Sequence, residues 1–212
     1  DVVRGGPGLG NIAPSQGDYN QIVHGGGHGD YHPIVLAPAS VQEAIDIVYE
    51  IFDIVEKYRT IGIVMADGSI GQIMEPVTLP AMQEVRKVWP SWSASASEGK
   101  RPRNVLTSIY LDPKQEETVN LRLMKKWQEI EKNEVRYKEY FMEDAQFAVI
   151  GFGSAGRVAL SAVRAARAEG IRVGLFRPIS LSPFPKKRIY ELSQKLQGFF
   201  VVEMNSGMML DD

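Results

Sequence analysis

Short apolar runs alternate with helix-forming segments in the last third of the chain. The apolar runs cover residues 147–150, 171–176 and 199–202, and the helical segments between them run from about 155 to 168 and from about 186 to 196. Gly170 and Gly198 lie where the ends of these helices favour a positive φ. Strands and helices in strict alternation predict a parallel sheet with helices packed against it.

The first third predicts a second strand, helix and strand. Residues 33–36 and 61–66 are apolar runs typical of buried parallel strands, and the second ends at Asp67-Gly68. Between them, Ser40 and Glu43 form a capping box at the start of a helix. One face of that helix is expected to pack into the core: Val41, Ala44, Ile45, Val48, Tyr49, Phe52 and Val55.

The region between these parts has a different composition. Five prolines interrupt residues 75–113, which predicts an irregular linker. A charged helix is expected from about 117 to 143, with one docking face formed by Leu123, Trp127, Ile130, Tyr137 and Phe141. The sequence therefore predicts an α/β protein with two parallel-sheet units, divided into residues 1–78, 79–144 and 145–212.

Charge and composition exclude several classes of function. The formal net charge is -2, and no basic stripe interleaved with aromatic residues favours nucleic acid as a partner. No apolar run approaches the roughly 18 residues needed to cross a bilayer, so a cytoplasmic protein is expected. The chain has no cysteine, so any iron-sulfur cluster or thiol chemistry must belong to another polypeptide.

The two ends of the sequence are expected to be internal points of a longer chain. Residues 1–4 read as the end of a strand that enters a glycine turn, and residues 204–210 read as the beginning of a helix. The sequence thus predicts an internal fragment.

A Gly-x-Gly-x-x-Gly motif occupies residues 151–156, between a predicted strand and a predicted helix. This context suits the pyrophosphate of a dinucleotide. The acidic residue that should bind the adenosine ribose is absent, and Arg177 stands near its place, which would suit a 2′-phosphate. The alternative is a close helix-strand contact without ligand, so an NADP-linked oxidoreductase built on Gly151, Gly153, Gly156 and Arg177 remains an open hypothesis.

Polar side chains near the first glycine loop are further candidates. Arg4 follows a predicted strand, where open α/β sheets collect ligands, and its guanidinium can bind a carboxylate with two hydrogen bonds. It could equally be a surface arginine before a tight turn. Ser15 could cap a short helix, and Gln16, Asp18 and Tyr19 could hydrogen-bond a ligand or partner.

Three histidines, His24, His28 and His32, are spaced by four residues, but the glycines between them prevent a helix. They could bind a metal from a loop or lie in a solvated turn.

An ordered series of motifs resembles one known family. The segments Val2 to Asn11 (VVRGGPGLGN), Ser15 to Tyr19 (SQGDY), Gly26 to Tyr31 (GGHGDY) and Ala66-Asp67-Gly68 are similar to the alpha-type subunit of 2-oxoacid:ferredoxin oxidoreductases. The resemblance continues through residues 131–137 and 150–154 to 202–205. The Gly-Pro-Gly-Leu-Gly-Asn form most resembles the branched-chain, 2-oxoisovalerate, branch.

The resemblance implies a fold and a chemistry. The first unit is expected to be the C-terminal part of a thiamine-diphosphate pyrimidine-binding domain, and the last unit the start of a transketolase C-terminal-like domain. Thiamine diphosphate and Mg would be shared with a partner subunit, iron-sulfur clusters would lie on other subunits, and coenzyme A would be a substrate. Arg4 would bind the substrate carboxylate, and the glycine motif at 151–156 would be structural.

The family's activating glutamate lies upstream of the Arg-Gly-Gly-Pro segment and is absent here. The isolated fragment is therefore expected to be inactive without the other subunits and ferredoxin. Two alternatives stay open: a member specific for 2-oxoglutarate or pyruvate, and a non-catalytic assembly or scaffold fragment.

Overall fold

The structure, a computed structural model, describes residues 2–11, 13–84, 89–94, 99 and 101–212. Within them, no helix is long and apolar enough to span a membrane. The irregular stretch predicted over residues 75–113 contains neither helix nor strand in its described part, up to the start of the long helix at Pro113.

The first part of the chain forms short strands around one long helix. Its elements are β1 (Val2–Val3), α1 (Tyr19–Val23), β2 (Ile34–Leu36), α2 (Val41–Tyr58), β3 (Gly62–Val64), β4 (Ala66–Asp67) and α3 (Gly68–Gln72). Strand β1 pairs with β4 and β2 pairs with β3, both in parallel. The predicted strand at 61–66 is thus divided between two sheets.

The second part forms a four-stranded sheet. Its elements are α4 (Pro113–Asn133), β5 (Tyr137–Tyr140), β6 (Phe147–Ile150), α5 (Gly153–Ala168), β7 (Val173–Pro178), β8 (Ser180–Ser182), α6 (Lys186–Ser193) and β9 (Gly198–Val201). The strand order is β5-β7-β6-β9. Strands β7 and β9 run parallel to β6, and β5 runs antiparallel along the edge of β7.

Strand β8 joins the two parts. It follows β7 after a single residue and pairs antiparallel with β2, where Val35 lies opposite Ser182 and Leu36 opposite Ser180. The α/β class predicted from the sequence is confirmed, but the three-stranded and four-stranded sheets are mixed, and only the β1-β4 pair is purely parallel among the described strands. The division into residues 1–78, 79–144 and 145–212 stays a prediction.

Helix α2 begins as its capping box predicts. The Ser40 hydroxyl accepts a hydrogen bond from the Glu43 amide at 3.1 Å, and the Glu43 carboxylate accepts one from the Ala39 amide at 2.8 Å. The predicted core face is wrong, because Phe52 is 66% exposed. The buried side chains lie on the neighbouring face: Ile47, Ile51, Ile54 and Tyr58. They pack with β2 and with Ile130 of α4.

The charged helix is shorter than predicted. Helix α4 ends at Asn133, and residues 137–140, which were expected to continue it, form β5. The buried carboxylate of Glu134, just beyond the helix, accepts hydrogen bonds from Tyr58 at 2.7 Å and Lys57 at 3.0 Å. Tyr137 stacks on Phe176 instead of docking from a helix. Residues 137–140 thus pair with the edge of β7 instead of extending α4.

Two local predictions also need correction. The Ser15 hydroxyl accepts a hydrogen bond from the Gly17 amide, and α1 begins after Asp18 without a side-chain cap. Gly198 is an ordinary first strand residue, whereas Gly170 has the expected positive φ of 83°.

Candidate functional site

Arg4 lies directly after β1, at the carboxyl edge of the β1-β4 pair. Its side chain is 44% exposed. Its backbone amide donates a hydrogen bond to Asp18 Oδ2 at 3.1 Å, and its Nε lies 3.7 Å from the same oxygen. The two Nη groups make no hydrogen bond within the part of the chain that the structure describes. Arg4 therefore presents the fork of its guanidinium outward, and a carboxylate matches that geometry.

The glycine loop after Arg4 is a closed turn. The Gly5 amide donates to the Asn11 carbonyl, and the Asn11 amide donates to the Gly5 carbonyl, both at 3.1 Å. The loop carries no charged residue, and Leu9 between its ends is 89% exposed. An uncharged, ordered loop with an exposed apolar side chain thus begins directly at Arg4.

Gly10→Ala is expected to open this loop. Gly10 has a φ of 58°, and a Cβ there would overlap the carbonyl oxygen of Gly5. The left-handed conformation alone costs an L-residue roughly 1–2 kcal/mol. Hydrogen exchange at the Gly5 and Asn11 amides should accelerate at least about tenfold. The control is Gly6→Ala, which shares a positive φ but meets no atom within 4 Å. Equal exchange in both variants would contradict the packing argument.

The Gly-x-Gly-x-x-Gly motif is used for packing between the two parts of the chain. Gln16, which is buried, donates to the Phe152 carbonyl at 3.0 Å and accepts from the Met204 amide at 2.9 Å. The Ser154 hydroxyl donates to Asp67 Oδ1 at 2.8 Å. Residues of the first part thus occupy the space over the N-terminus of α5, where a pyrophosphate would have to lie.

Arg177 is also committed to a contact within the chain. Its side chain is 3% exposed, and Nη1 and Nη2 donate to the two carboxylate oxygens of Glu43 at 2.9 and 2.6 Å. This bidentate pair joins β7 to the start of α2. An arginine held in this way has no fork left for a 2′-phosphate, so the geometry argues against the NADP hypothesis.

The Glu43 carboxylate should make stability depend on acid. Burial raises its pKa, but the hydrogen bonds and charge of Arg177, together with hydrogen bonds from the Ala39 amide and Lys138, hold the pKa below the ordinary value of 4.5. The pKa of this carboxyl is lower in the folded state than in the unfolded state. It therefore contributes stability at any pH above the unfolded-state pKa, and this contribution is lost as the pH falls through the folded-state pKa. We expect the urea concentration at the midpoint of unfolding to decrease as the pH is lowered below 4.5. The decrease should be smaller in a variant that lacks both Glu43 and Arg177.

The three histidines do not converge on one point. His24 Nε2 lies 3.5 Å from Asp212, and the His32 ring stacks on Trp127 with centroids 4.4 Å apart. His28 is exposed in its loop. Among the described residues, no group of three His, Asp or Glu side chains could hold a metal ion. The geometry therefore does not support metal binding by these histidines.

A cleft of about 760 Å³ lies between α4 and α6, away from Arg4. Two of the cations along it are already paired, Arg188 with Glu139 at 2.6 Å and Lys186 with Asp212 at 3.6 Å. Because size alone does not define a site, the candidate remains the edge at Arg4, where a guanidinium fork faces outward.

Comparison with family models matches both parts of the chain. Residues 1–142 match the thiamine-diphosphate-binding domain of pyruvate flavodoxin/ferredoxin oxidoreductase, and residues 145–212 match core domain II of pyruvate:ferredoxin oxidoreductase.

Individual relatives agree with these models. Ketoisovalerate oxidoreductase subunit VorB of Methanothermobacter thermautotrophicus is 49% identical over 212 residues, all of this chain and 60% of that protein. The 2-oxoglutarate synthase subunit KorA of Methanothermobacter marburgensis is 32% identical over 235 residues, 99% of this chain and 62% of that protein. The chain thus spans about three fifths of the length of these relatives.

A solved structure shows the same fold. The 2-oxoglutarate:ferredoxin oxidoreductase of Magnetococcus marinus, with 2-oxoglutarate, coenzyme A and succinyl-CoA bound, superposes with a TM-score of 0.80 at 24% identity. The match covers all of this chain and 42% of that one. The two domain matches show that the chain belongs to the pyruvate flavodoxin/ferredoxin oxidoreductase family, of which it carries thiamine-diphosphate-binding and core domain II sequence.

Proposed function

We propose that this chain forms the substrate-carboxylate side of a thiamine-diphosphate-dependent 2-oxoacid:ferredoxin oxidoreductase. The enzyme would decarboxylate a branched-chain 2-oxoacid, transfer the acyl group to coenzyme A and reduce ferredoxin. The observation that carries the proposal is the outward fork of Arg4 at the carboxyl edge of a parallel strand pair, in a domain of the thiamine-diphosphate-binding family.

The donor set at this edge fits one end of a thiamine site. Bound thiamine diphosphate supplies the electron sink for decarboxylation of a 2-oxoacid. Arg4 fits the anionic end of the substrate. The described residues gather no set of three side chains for a metal ion. We therefore assign the diphosphate and its Mg to a partner subunit, as the family resemblance implies.

Arg4 would act by holding and orienting the substrate. Two parallel N–H···O bonds fix both the position and the plane of a carboxylate. Such positioning would fix the direction in which the carboxylate leaves the substrate. Well-oriented reactants avoid much of the entropic cost of reaction, so orientation is a sufficient role for a residue that transfers no proton.

The branched-chain substrate is supported by two observations. The identity to the ketoisovalerate relative is 49%, against 32% to the 2-oxoglutarate relative. The loop that starts at Arg4 has no cation for a second carboxylate and exposes Leu9. An apolar substrate side chain matches this loop better than a charged one.

The remaining components would lie on other chains. This sequence has no cysteine, so clusters that pass single electrons to ferredoxin would be ligated by other subunits. These 212 residues alone would not turn over, because the clusters and the metal would lie on other subunits, and the complete enzyme would act in the cytoplasm.

The test uses the full-length subunit co-expressed with its neighbouring subunits and loaded with thiamine diphosphate and Mg. Ferredoxin reduction is followed with 2-oxoisovalerate, 2-oxoglutarate and pyruvate, each with and without coenzyme A. The proposal expects coenzyme-A-dependent reduction with the highest kcat/KM for 2-oxoisovalerate. Preference for another of the three acids would overturn the substrate class alone. Absence of reduction with all three would overturn the activity.

One observation favours a second candidate, a purely structural fragment. Apolar side chains on α2 and on the extended segment beside it are exposed: Val48, Phe52, Leu79 and Met82. Patches of this kind typically contact other proteins. In an assembly role alone Arg4 would not affect turnover, so its substitution separates the two candidates.

A further inference from the structure

Asp18 stands at the N-terminus of α1, but its side chain does not cap that helix. An aspartate in this position ordinarily accepts hydrogen bonds from the first turn. Here Oδ2 accepts instead from the Arg4 amide at 3.1 Å and lies 3.7 Å from Arg4 Nε. The Asp18 side chain is 14% exposed, whereas that of Arg4 is 44% exposed. The carboxylate is thus a largely buried support beneath an exposed guanidinium.

The contact between Asp18 and Arg4 is built into the local packing. Gly17, directly before Asp18, lies so close that a Cβ on it would come within 2.8 Å of the Arg4 carbonyl oxygen. Tyr19, directly after Asp18, is fully buried and donates a hydrogen bond to Asp212 at 2.8 Å. Burial and the Asp212 charge raise the pKa of Tyr19, so its hydroxyl stays protonated and serves as a fixed anchor. Asp18 is therefore held in place by both of its neighbours.

Arg4 needs such a support because a free arginine side chain samples many rotamers. When a substrate binds, restricting the arginine side chain to one rotamer costs conformational entropy. A contact that already restricts the side chain before binding lowers this cost. Asp18 lies on the Nε side of the guanidinium, and the Nη fork remains unengaged within the described residues. The support thus restricts the side chain without consuming the donors that would meet a substrate.

We propose that Asp18 is a positioning residue, which holds the Arg4 guanidinium so that its Nη fork receives the carboxylate of the 2-oxoacid. This inference rests on the proposed function and adds a residue to it. Asp18 touches no substrate atom, so its loss should weaken substrate binding more than the chemical step that follows.

The test compares Asp18→Ala and Asp18→Asn in the assembled enzyme, with Arg4→Ala and the double variant Asp18→Ala/Arg4→Ala. Hydrogen bonds to charged groups are strong enough that Asp18→Ala should raise KM for the oxoacid about tenfold, with kcat changed less than about threefold. Asp18→Asn keeps an oxygen for the Arg4 amide, so KM should be partly restored. Asp46→Ala, an exposed carboxylate on α2 that accepts from Gln42, is the matched control with unchanged KM.

The double variant separates positioning from general damage. If Asp18 acts through Arg4, adding Asp18→Ala to Arg4→Ala should change kcat/KM less than about twofold, because interacting residues are not additive. A full additional loss would overturn the inference.

The other outcomes are equally distinct. An unchanged kcat/KM in Arg4→Ala contradicts the proposed role of Arg4, and the inference with it. A second outcome is that Arg4→Ala lowers kcat/KM while both Asp18 variants keep a KM within about twofold of the parent. This outcome overturns the inference about Asp18 alone. If Asp18→Ala does not assemble, Asp18→Asn decides by the same limit.

Discussion

Arg4→Ala in the assembled enzyme is expected to lower kcat/KM for the 2-oxoacid by roughly 30-fold to several thousandfold. Loss of one partner of a hydrogen-bonded charge pair costs about 2–5 kcal/mol, and each 1.4 kcal/mol corresponds to about a factor of ten. The effect should be large because the Nη fork of Arg4 is unengaged within the described residues and so available to substrate. Steady-state ferredoxin reduction at varied oxoacid concentration measures it.

Two further variants sharpen this prediction. Arg4→Lys keeps the charge but loses the planar fork, so it should fall between the parent and Arg4→Ala. Arg164→Ala removes an exposed arginine from the outer side of α5 and should leave kcat/KM unchanged. If Arg4→Ala turned over substrate like the parent, Arg4 would not bind the substrate carboxylate. The second candidate, a purely structural fragment, would then gain support.

Arg177→Met is expected to destabilise the full-length subunit by about 3–5 kcal/mol, because it leaves the largely buried carboxylate of Glu43 without its principal partner. The two hydrogen bonds of this pair, at 2.9 and 2.6 Å, join residues 134 positions apart. Urea unfolding of the subunit, followed by tryptophan fluorescence, measures the change in midpoint.

The same carboxylate supplies the control. Lys138 also lies 3.0 Å from Glu43, but its side chain is half exposed. Lys138→Met should therefore cost less than about 1 kcal/mol. The double variant Arg177→Met/Glu43→Leu should recover much of the lost stability, since apolar residues can replace a buried pair. A midpoint for Arg177→Met equal to that of Lys138→Met would show that the pair does not hold the two parts together.

Local signals in the sequence predicted local structure well. The Ser40 and Glu43 capping box, the strand at 147–150 and the positive φ of Gly170 depend on neighbouring residues and are present as expected. The core face of α2 could not be assigned from the pattern. This helix carries apolar residues on two adjoining faces, and only its tertiary partners decide that Ile51 is buried and Phe52 exposed.

Long-range pairing accounts for the rest of the fold. No local signal indicates that β8 leaves the sheet of β7 to pair antiparallel with β2. Tyr137 follows Ile130 at an interval of seven, which is itself a helical repeat, so the spacing predicts one continuous helix. Residues 137–140 form β5 instead because they pair with β7, a contact that the local sequence does not indicate.

The candidate site was partly readable from sequence. The position of Arg4 after a strand predicted its place at a sheet edge, and the structure puts it there. The sequence predicts ligand or partner contacts for both Gln16 and Asp18, but Gln16 hydrogen-bonds to Phe152 and Met204 within the chain. The contact between Asp18 and Arg4 spans 14 residues, and only the folded loop between them brings the two together.

We propose above that the Arg4 edge of this chain receives the carboxylate of a 2-oxoacid. The most direct measurement is the structure of the assembled enzyme with a bound oxoacid and an unreactive analogue of thiamine diphosphate, so that the substrate keeps its carboxylate. We expect the substrate carboxylate within hydrogen-bond distance of both Nη atoms of Arg4, with Asp18 still on the Nε side. A carboxylate bound by other residues, with Arg4 turned to solvent, would contradict it.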